Sequence, residues 1–428
     1  MEIRDPVHGS IAILEAEVPL LEHPYFQRLR NIKQLGLSEY AFPGASHTRY
    51  LHSIGVMFLA GKIFDLIFNK HPEYKQNKDL LKLKETLKLA ALLHDIGHAP
   101  LSHATEWAMP QVSTLQLPSS YLKGDLKRKA THEDYTLKFI LDSDLAQAFH
   151  KLEEEMGVSK EAVADLILGT TNQPSYFEIG NINFFPFLNR LISSEMDCDR
   201  MDYLLRDSYF CGVSYGQYDL PWLCDNLDFC IEGTNAYLAI HERAVATFDD
   251  FLLSRYHMFL MIYFHYRAVC LEQMLLKYFS SCSEYTLPSS MQDYQKHDDY
   301  YLMQVLRQSE NMWAKRIVSN NIPLKIFESF GNDQEHCQKE LQTYLDSMHI
   351  PYLLSSSQNR LSKYYAQPNL YPMKVVREVL GQKNIRGIED ASDLFQKFSS
   401  VHKIVRIHTD FDDLLTQQKE AIRKILKT

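Results

Sequence analysis

Glycine and proline are scarce in this chain, 16 of each among 428 residues. Together they make about 7% of it, where average usage gives about 12%. A shortage of both chain breakers disfavours a many-turned β-protein and points to long helices. Cysteine supplies no disulfide or zinc-ribbon framework. Cys198, Cys211, Cys224, Cys230, Cys270, Cys282 and Cys337 form no C-x-x-C pair and are odd in number, so reduced, mostly buried thiols are expected. No run approaches the ~18 consecutive apolar residues that cross a bilayer, and no membrane association is expected. The opening MEIRDPVHGS lacks a basic-then-apolar signal pattern, so a cytoplasmic location is expected. Repeats and low-complexity tracts are absent too. Basic side chains are the minority, 45 against 54 acidic, for a net charge of −9. That balance argues against a general nucleic-acid coat while allowing a local basic pocket for a phosphorylated ligand.

What is present is 45% hydrophobic residues, enough for a large core. Residues 1–15 alternate weakly around Pro6 and Gly9 and predict a short strand or hairpin. From Pro24 onward the helical period dominates: a short helix through Phe26, Leu29, Arg30 and Lys33, then Arg49 to Phe68, then Asp79 to Asp95 ended by Gly97 and Pro100. Residues 110–131 read as a surface loop, 133–168 as helical, 171–187 as an aromatic-rich loop, and 188–210 and 243–280 as helices. Residues 283–299 are polar and read as a linker. A strand pair is expected near 350–375 and an amphipathic helix from about Asp410. The expected fold is mostly α with small β elements, a catalytic core over 1–280 and a C-terminal accessory region over 281–428.

Seven histidines, His47, His52, His71, His94, His98, His103 and His132, fall between residues 47 and 132. His94-Asp95 ends the most apolar helix, and burying an imidazole beside a carboxylate is costly unless both are paired or hold a cation. A divalent metal is the simplest partner, since neutral imidazole and carboxylate both ligate Zn, Mn or Fe. His52, on the inward stripe of its own helix, is the first candidate for a further ligand. The second lies in SSEMDCDRMDYLLRDS, where Asp199, Asp202, Tyr203, Arg206 and Asp207 share one helical face. The alternatives there are a solvated acidic surface or a stripe, Asp199–Tyr203–Asp207, suited to a cation and a polyhydroxylated ligand. Arg49, one turn before His52, and Arg255, with Tyr263 two turns along the same side, would clamp a phosphate ester or anhydride beside the metal.

RLRNIKQLG, FPGASHTRYLHSIGV, LLHDIGHAPLSH, THE and DRMDYLLRD occur in this order. This set resembles the HD-domain phosphohydrolases, specifically their deoxynucleoside triphosphate triphosphohydrolase branch, over about residues 1–280. The resemblance implies a mostly helical HD-domain fold and one divalent metal (Mn, Fe, Zn, Ni or Mg) held by His52, His94, Asp95 and Asp199. It places His98, His103 and His132 along the phosphate region, with His103 and Glu106 as a proton relay, although Asp is common where Glu106 stands. Arg49, Arg200 and Arg255 would hold phosphates, Tyr203 and Asp207 the deoxyribose 3′-hydroxyl, Gln34 and Leu35 the sugar, and Tyr263 would close over sugar and base. Oligomeric relatives imply a homo-oligomer, dimer or tetramer, with an allosteric nucleotide site at Asp5, Glu22, Gln27 and Arg30; Glu22 stands where Asp is usual. The implied activity is metal-dependent hydrolysis of a deoxynucleoside triphosphate to deoxynucleoside and tripolyphosphate. Two alternatives compete: an HD-type nucleotidase or cyclic-nucleotide phosphodiesterase with a second metal at His98, His103 and His132, and a non-catalytic nucleotide-binding regulator.

Overall fold

A helix apolar around its whole circumference has to be buried, and the molecule is organised about one such helix. In a computed structural model, which describes residues 1–122, 124–331, 334–360, 372–397 and 401–427, α1 (Arg49–Phe68) packs lengthwise on α2 (Asp79–Leu93). Among the described residues α1 is also the one helix long and apolar enough to cross a membrane, but 72% of its most apolar window is buried inside the fold. Around this pair lie α3 (His132–Leu141), α4 (Lys160–Leu168), α5 (Phe185–Ile192), α6 (Cys198–Cys211), α7 (Val245–Met258), α8 (Tyr266–Ser281), α9 (Asp299–Gln308) and α10 (Met312–Val318). Helix takes 56% of the chain and strand 15%, so the expected mostly α fold with small β elements is the one observed.

The N-terminal hairpin is present as β1 (Glu2–Asp5) and β2 (Gly9–Ala12), paired antiparallel. The stretch 133–168 is three helices rather than one run, because Ser143 caps a new turn and Gly157 ends the helix His150–Met156 at φ +72°. Between α6 and α7 the sequence reading assigned no element, yet β3 (Leu227–Glu232) and β4 (Asn235–His241) form an antiparallel hairpin there. Further on come β5 (Leu324–Phe330), α11 (Glu335–Ser347), β6 (Tyr352–Arg360), β7 (Lys374–Val379), β8 (Gln382–Gly387), β9 (Val401–Thr409) and α12 (Thr416–Ile425). The strand pair expected near 350–375 does not exist as a pair. β6 joins β9, which also pairs β5, whereas β7 pairs β8 and runs parallel to β4; residues 361–371 lie outside the described residues. Ile407 of β9 completes a small core with Phe327, Leu341, Leu345, Ile350 and Ile422, so burial rather than proximity in sequence selects the partner.

Residues 283–299 are not a linker. Tyr285, Leu287, Met291 and Tyr294 are buried in the main core, which continues through Leu302, Leu306 and Ile317. The segment passes beneath the turn after α2 and fastens it: Tyr294 Oη donates to Gly97 O (2.7 Å), and Arg28 bridges His297 O, Ile96 O and His98 O. Asp299 accepts the backbone N–H groups of Lys33 and Leu101 at 2.9 and 2.7 Å, holding Leu101 and Ser102 in left-handed backbone at φ +55° and +59°. Its polar composition reflects hydrogen bonding to buried backbone, which residue counting cannot separate from solvation.

Burial and the Arg28 guanidinium push the His297 imidazole down to about 4. The unfolded chain, with an ordinary imidazole near 6.5, therefore takes up a proton first, and stability falls as the pH drops from about 6.5 toward 4. Allowing for partial solvent access, this contributes about 1 kcal/mol between pH 7 and pH 5. His297→Asn is expected to shrink the acid-side loss of unfolding free energy, measured by urea titration, by that amount; an unchanged pH slope would show that His297 is not responsible.

Candidate metal centre

α2 ends where its apolar residues end, with His94 as C-cap and Asp95 and Ile96 turning out of the helix. A Cβ on Gly97 would lie 2.1 Å from His132 O and 2.4 Å from Thr136 N, so only glycine lets α3 pack against this turn and bring His132 near it. α6 starts at Asp197, whose carboxylate accepts the Arg200 N–H (2.8 Å), and stops at Gly212 in left-handed backbone. That start puts Asp199 in the first turn, where the helix dipole favours a carboxylate. His52, on α1, is fully buried.

Both imidazoles have their tautomers set by the nitrogen facing away from the site. His94 Nδ1 donates to Ala91 O (2.7 Å) and His52 Nδ1 to Asp202 Oδ2 (2.8 Å). Each Nε2 is left buried and without a hydrogen-bond partner, and the two rings meet edge to face at 5.4 Å. His52 Nε2 lies 3.0 Å from Asp199 Oδ1 and 3.7 Å from Asp95 Oδ2; His94 Nε2 lies 3.4 Å from Asp95 Oδ1 and 3.7 Å from Asp199 Oδ1. Atoms bound at about 2.1 Å to one ion sit roughly 3.0–3.4 Å apart, so these residues fit a divalent cation. His52, His94 and Asp199 satisfy the spacing most closely, and Asp95, which also accepts from Arg49, completes the four.

Electrostatics agree with the geometry. Burial alone would lower the His52 imidazole, but the carboxylates of Asp199 and Asp202 on either side of the ring raise it to about 10. Asp199, half-buried beside both rings, is held well below the carboxylate range by His52 and His94. The metal-free site thus traps a proton on His52 that an entering cation must displace.

Beside the centre, His98 Nε2 lies 3.2 Å from Asp95 Oδ1, and its ring stacks on His132 at 3.9 Å. Glu106 accepts from His132 at 2.6 Å and from His103 at 3.1 Å. Although burial opposes ionisation, those two contacts keep Glu106 ionised far below its ordinary range. His103, expected to be the main partner of Glu106, is two-thirds exposed, and His132 holds the shorter contact.

The acidic face of α6 is not solvated: Asp202, Arg206 and Asp207 are buried. Asp207 accepts from Tyr263 Oη (2.8 Å) and His47 Nε2 (2.7 Å), and the Tyr203 and Tyr263 rings meet edge to face at 6.0 Å. Arg49 Nε donates to Ser102 Oγ (2.9 Å), Arg255 pairs with Glu195 (2.8 Å), and Arg200 pairs with its own helix cap, Asp197. Arg200 Nε and Arg255 Nε, and Gln34 Oε1 nearby in sequence to half-buried Leu35, are buried without partners. Sequence reasoning gave His47, Ser102, Asp202, Arg206 and Glu195 no role; their signal is only three-dimensional, since each is read by what it touches across the fold. The proposed allosteric set is split. Gln27 bonds Arg30, which lies over the Tyr50 ring, and Glu22 is on the surface near them in sequence, but Asp5 is buried and bonded to Arg206. Asp5 thus stands apart from the other three, its carboxylate bonded inside the core.

The HD domain family matches residues 49–207, which hold all four candidate ligands, and the HD associated region matches residues 223–321. Residues 49–207 are thus an HD domain, and the chain is similar to members of the HD-domain phosphohydrolase superfamily. Members of that superfamily are generally metal-dependent hydrolases. An uncharacterized protein of Methanocaldococcus jannaschii is 28% identical over 402 residues, covering 92% of this chain and 75% of its own length. The deoxynucleoside triphosphate triphosphohydrolase SAMHD1 of Gallus gallus is 26% identical over 361 residues, covering 79% of this chain and 57% of its own. This HD-domain chain therefore spans little more than half of the avian protein. A crystal structure of a hypothetical protein from Aquifex aeolicus superposes with a TM-score of 0.74 at 25% identity, covering 100% of this chain and 99% of that one. The HD associated region begins inside the expected core and runs past residue 281, in keeping with the continuous packing seen there.

Because His52 carries a proton in the metal-free site, Mn²⁺ binding between pH 7 and 9 is expected to release about one proton. Calorimetry in buffers of different ionisation enthalpy measures this directly, and binding without proton release would contradict the assigned state of His52.

Proposed function

We propose that this protein hydrolyses deoxynucleoside triphosphates to the deoxynucleoside and tripolyphosphate, using a divalent cation held by His52, His94, Asp95 and Asp199. The observation that carries the reading is the pair of buried, unpartnered Nε2 atoms of His52 and His94 facing Asp95 and Asp199, flanked by arginines with donors to spare. A bound divalent cation supplies a water of lowered pKa and polarises a phosphoryl oxygen.

The remaining work falls to side chains of the chain itself. Arg49 is anchored on one side by Asp95 and Ser102, and Arg200 and Arg255 keep unpartnered Nε–H groups beside their ion pairs, so each has donors for phosphate oxygens. Glu106, ionised between two imidazoles, orients His132 and His103, and His103 is the side chain assigned to donate toward a leaving 5′-oxygen. Asp207 retains acceptor capacity beyond Tyr263 and His47 for a sugar hydroxyl, and the Tyr203–Tyr263 pair forms an aromatic wall beside it. The SAMHD1 relatives, named as deoxynucleoside triphosphate triphosphohydrolases, support the same substrate class. A homo-oligomer and a surface nucleotide site around Glu22, Gln27 and Arg30 belong to this reading.

One observation favours a second reading. His98, His103 and His132 also present ligand atoms within 4.8 Å of one another, the spacing a second ion needs in a two-metal nucleotidase or phosphodiesterase. Product analysis separates the two. Incubation with each of the four deoxynucleotides and a ribonucleotide, followed by anion-exchange separation, is expected to yield tripolyphosphate and deoxynucleoside, and His94→Ala or Asp95→Ala is expected to reduce turnover to background. Orthophosphate released stepwise, with two metals per chain, would favour the second reading.

A further inference from the structure

Behind His52, away from the phosphate-facing residues, lies a closed ring of buried charges that the proposed reaction leaves unused. Asp202 offers Oδ2 to His52 Nδ1 and Oδ1 to His8 Nε2, the latter at 2.6 Å. Arg206 donates to both oxygens, Nε to Oδ2 (2.8 Å) and Nη2 to Oδ1 (2.9 Å), and its Nη1 reaches Asp5 Oδ2 (2.8 Å). The other oxygen of Asp5 accepts the backbone N–H groups of Val7 and His8, both at 2.8 Å. The N-terminal turn between β1 and β2 is thereby joined at two points to the residue that orients a candidate ligand.

Space for this ring is reserved on α1. A Cβ on Gly55 would lie 2.1 Å from Asp202 Oδ1 and 2.3 Å from Arg206 Nη2, so no other residue admits both groups there. The His8 side chain is 4% exposed, and its ring packs against Phe58 at 5.4 Å. Two carboxylates face one guanidinium, leaving one negative charge in excess, and Asp202 presents it to His52. An uncompensated buried charge is costly, and when His52 is a neutral ligand the compensation has to come from a cation on the far side of its ring. A carboxylate behind a ligating imidazole fixes its tautomer and strengthens it as a ligand. His8 and Arg206 together fix the carboxylate; without the His8 donor, Oδ1 loses one of its two partners, and the carboxylate follows the flexible Arg206 side chain instead of being held against the His52 Nδ1–H.

We infer that His8 is a positioning residue for the metal centre: through Asp202 it aims His52 Nε2, so metal retention depends on the N-terminal turn although no residue of that turn touches the ion. This rests on the reading of His52 as a ligand. The test is Mn²⁺ titration of the full chain, with free Mn²⁺ followed by electron paramagnetic resonance, at a temperature where circular dichroism shows every variant folded. His8→Phe keeps the ring contact with Phe58 but cannot donate, and is expected to weaken the Kd for Mn²⁺ by about 10–100-fold. His8→Gln, which can donate to Asp202, is expected to recover most of that loss. Ile11→Ala, which loosens the same hairpin outside the ring, is expected to lower the melting temperature and leave the Kd within about threefold. A His8→Phe protein that binds Mn²⁺ like the wild type would overturn the inference, as would an Ile11→Ala protein that binds as weakly as His8→Phe. A wild type that binds no Mn²⁺ would overturn the metal reading together with it.

Discussion

The constraint on which the rest depends is the outward hydrogen bond of each candidate histidine. Ala91 O takes the Nδ1–H of His94, and Asp202 takes that of His52, so both rings must turn Nε2 toward Asp95 and Asp199. Neither nitrogen has a protein partner, and four polar groups compressed into that space repel or trap protons unless a cation joins them. The unusual local features serve this arrangement. Glycine at 97 allows α3 close approach, glycine at 55 admits Asp202 and Arg206, and the left-handed Leu101–Ser102 pair presents Ser102 Oγ to Arg49.

Support for the centre comes from far along the chain. Arg28 and Tyr294 hold the carbonyls of the turn at residues 96–98, Asp299 anchors the strained turn after it, and the N-terminal hairpin braces Asp202. Residues near both ends of the helical body thus converge on a turn of four residues. Among the described residues the main hydrophobic core accordingly runs from Ile11 past residue 281 as far as Phe395.

Much of this was legible in the sequence, for identifiable reasons. His94-Asp95 stood out because apolar residues precede it in α2, and a buried charge pair needs an explanation; His52 lay on the inward stripe of a helix whose period is plain. Asp199 was only one of several acids until the motif order singled it out. Asp202 and Arg206 share its helical face and were indistinguishable from it, because a helical wheel shows direction but not depth. Residues 283–299 misled for a related reason: polar side chains that cap buried backbone have the composition of a linker. The β6–β9 pairing escaped because strand partners distant in sequence leave no local period, and the β3–β4 hairpin because Leu227 to Cys230 are buried in succession and lack the alternation of a half-exposed strand.

The central claim concerns one point in space between His52 Nε2, His94 Nε2, Asp95 and Asp199. Crystals of the protein grown with Mn²⁺ and measured at the manganese absorption edge test it most directly. The account predicts an anomalous peak at about 2.0–2.3 Å from all four ligands. A map with no peak there, or with His52 Nε2 donating a hydrogen bond to Asp199 while manganese binds elsewhere, would contradict it.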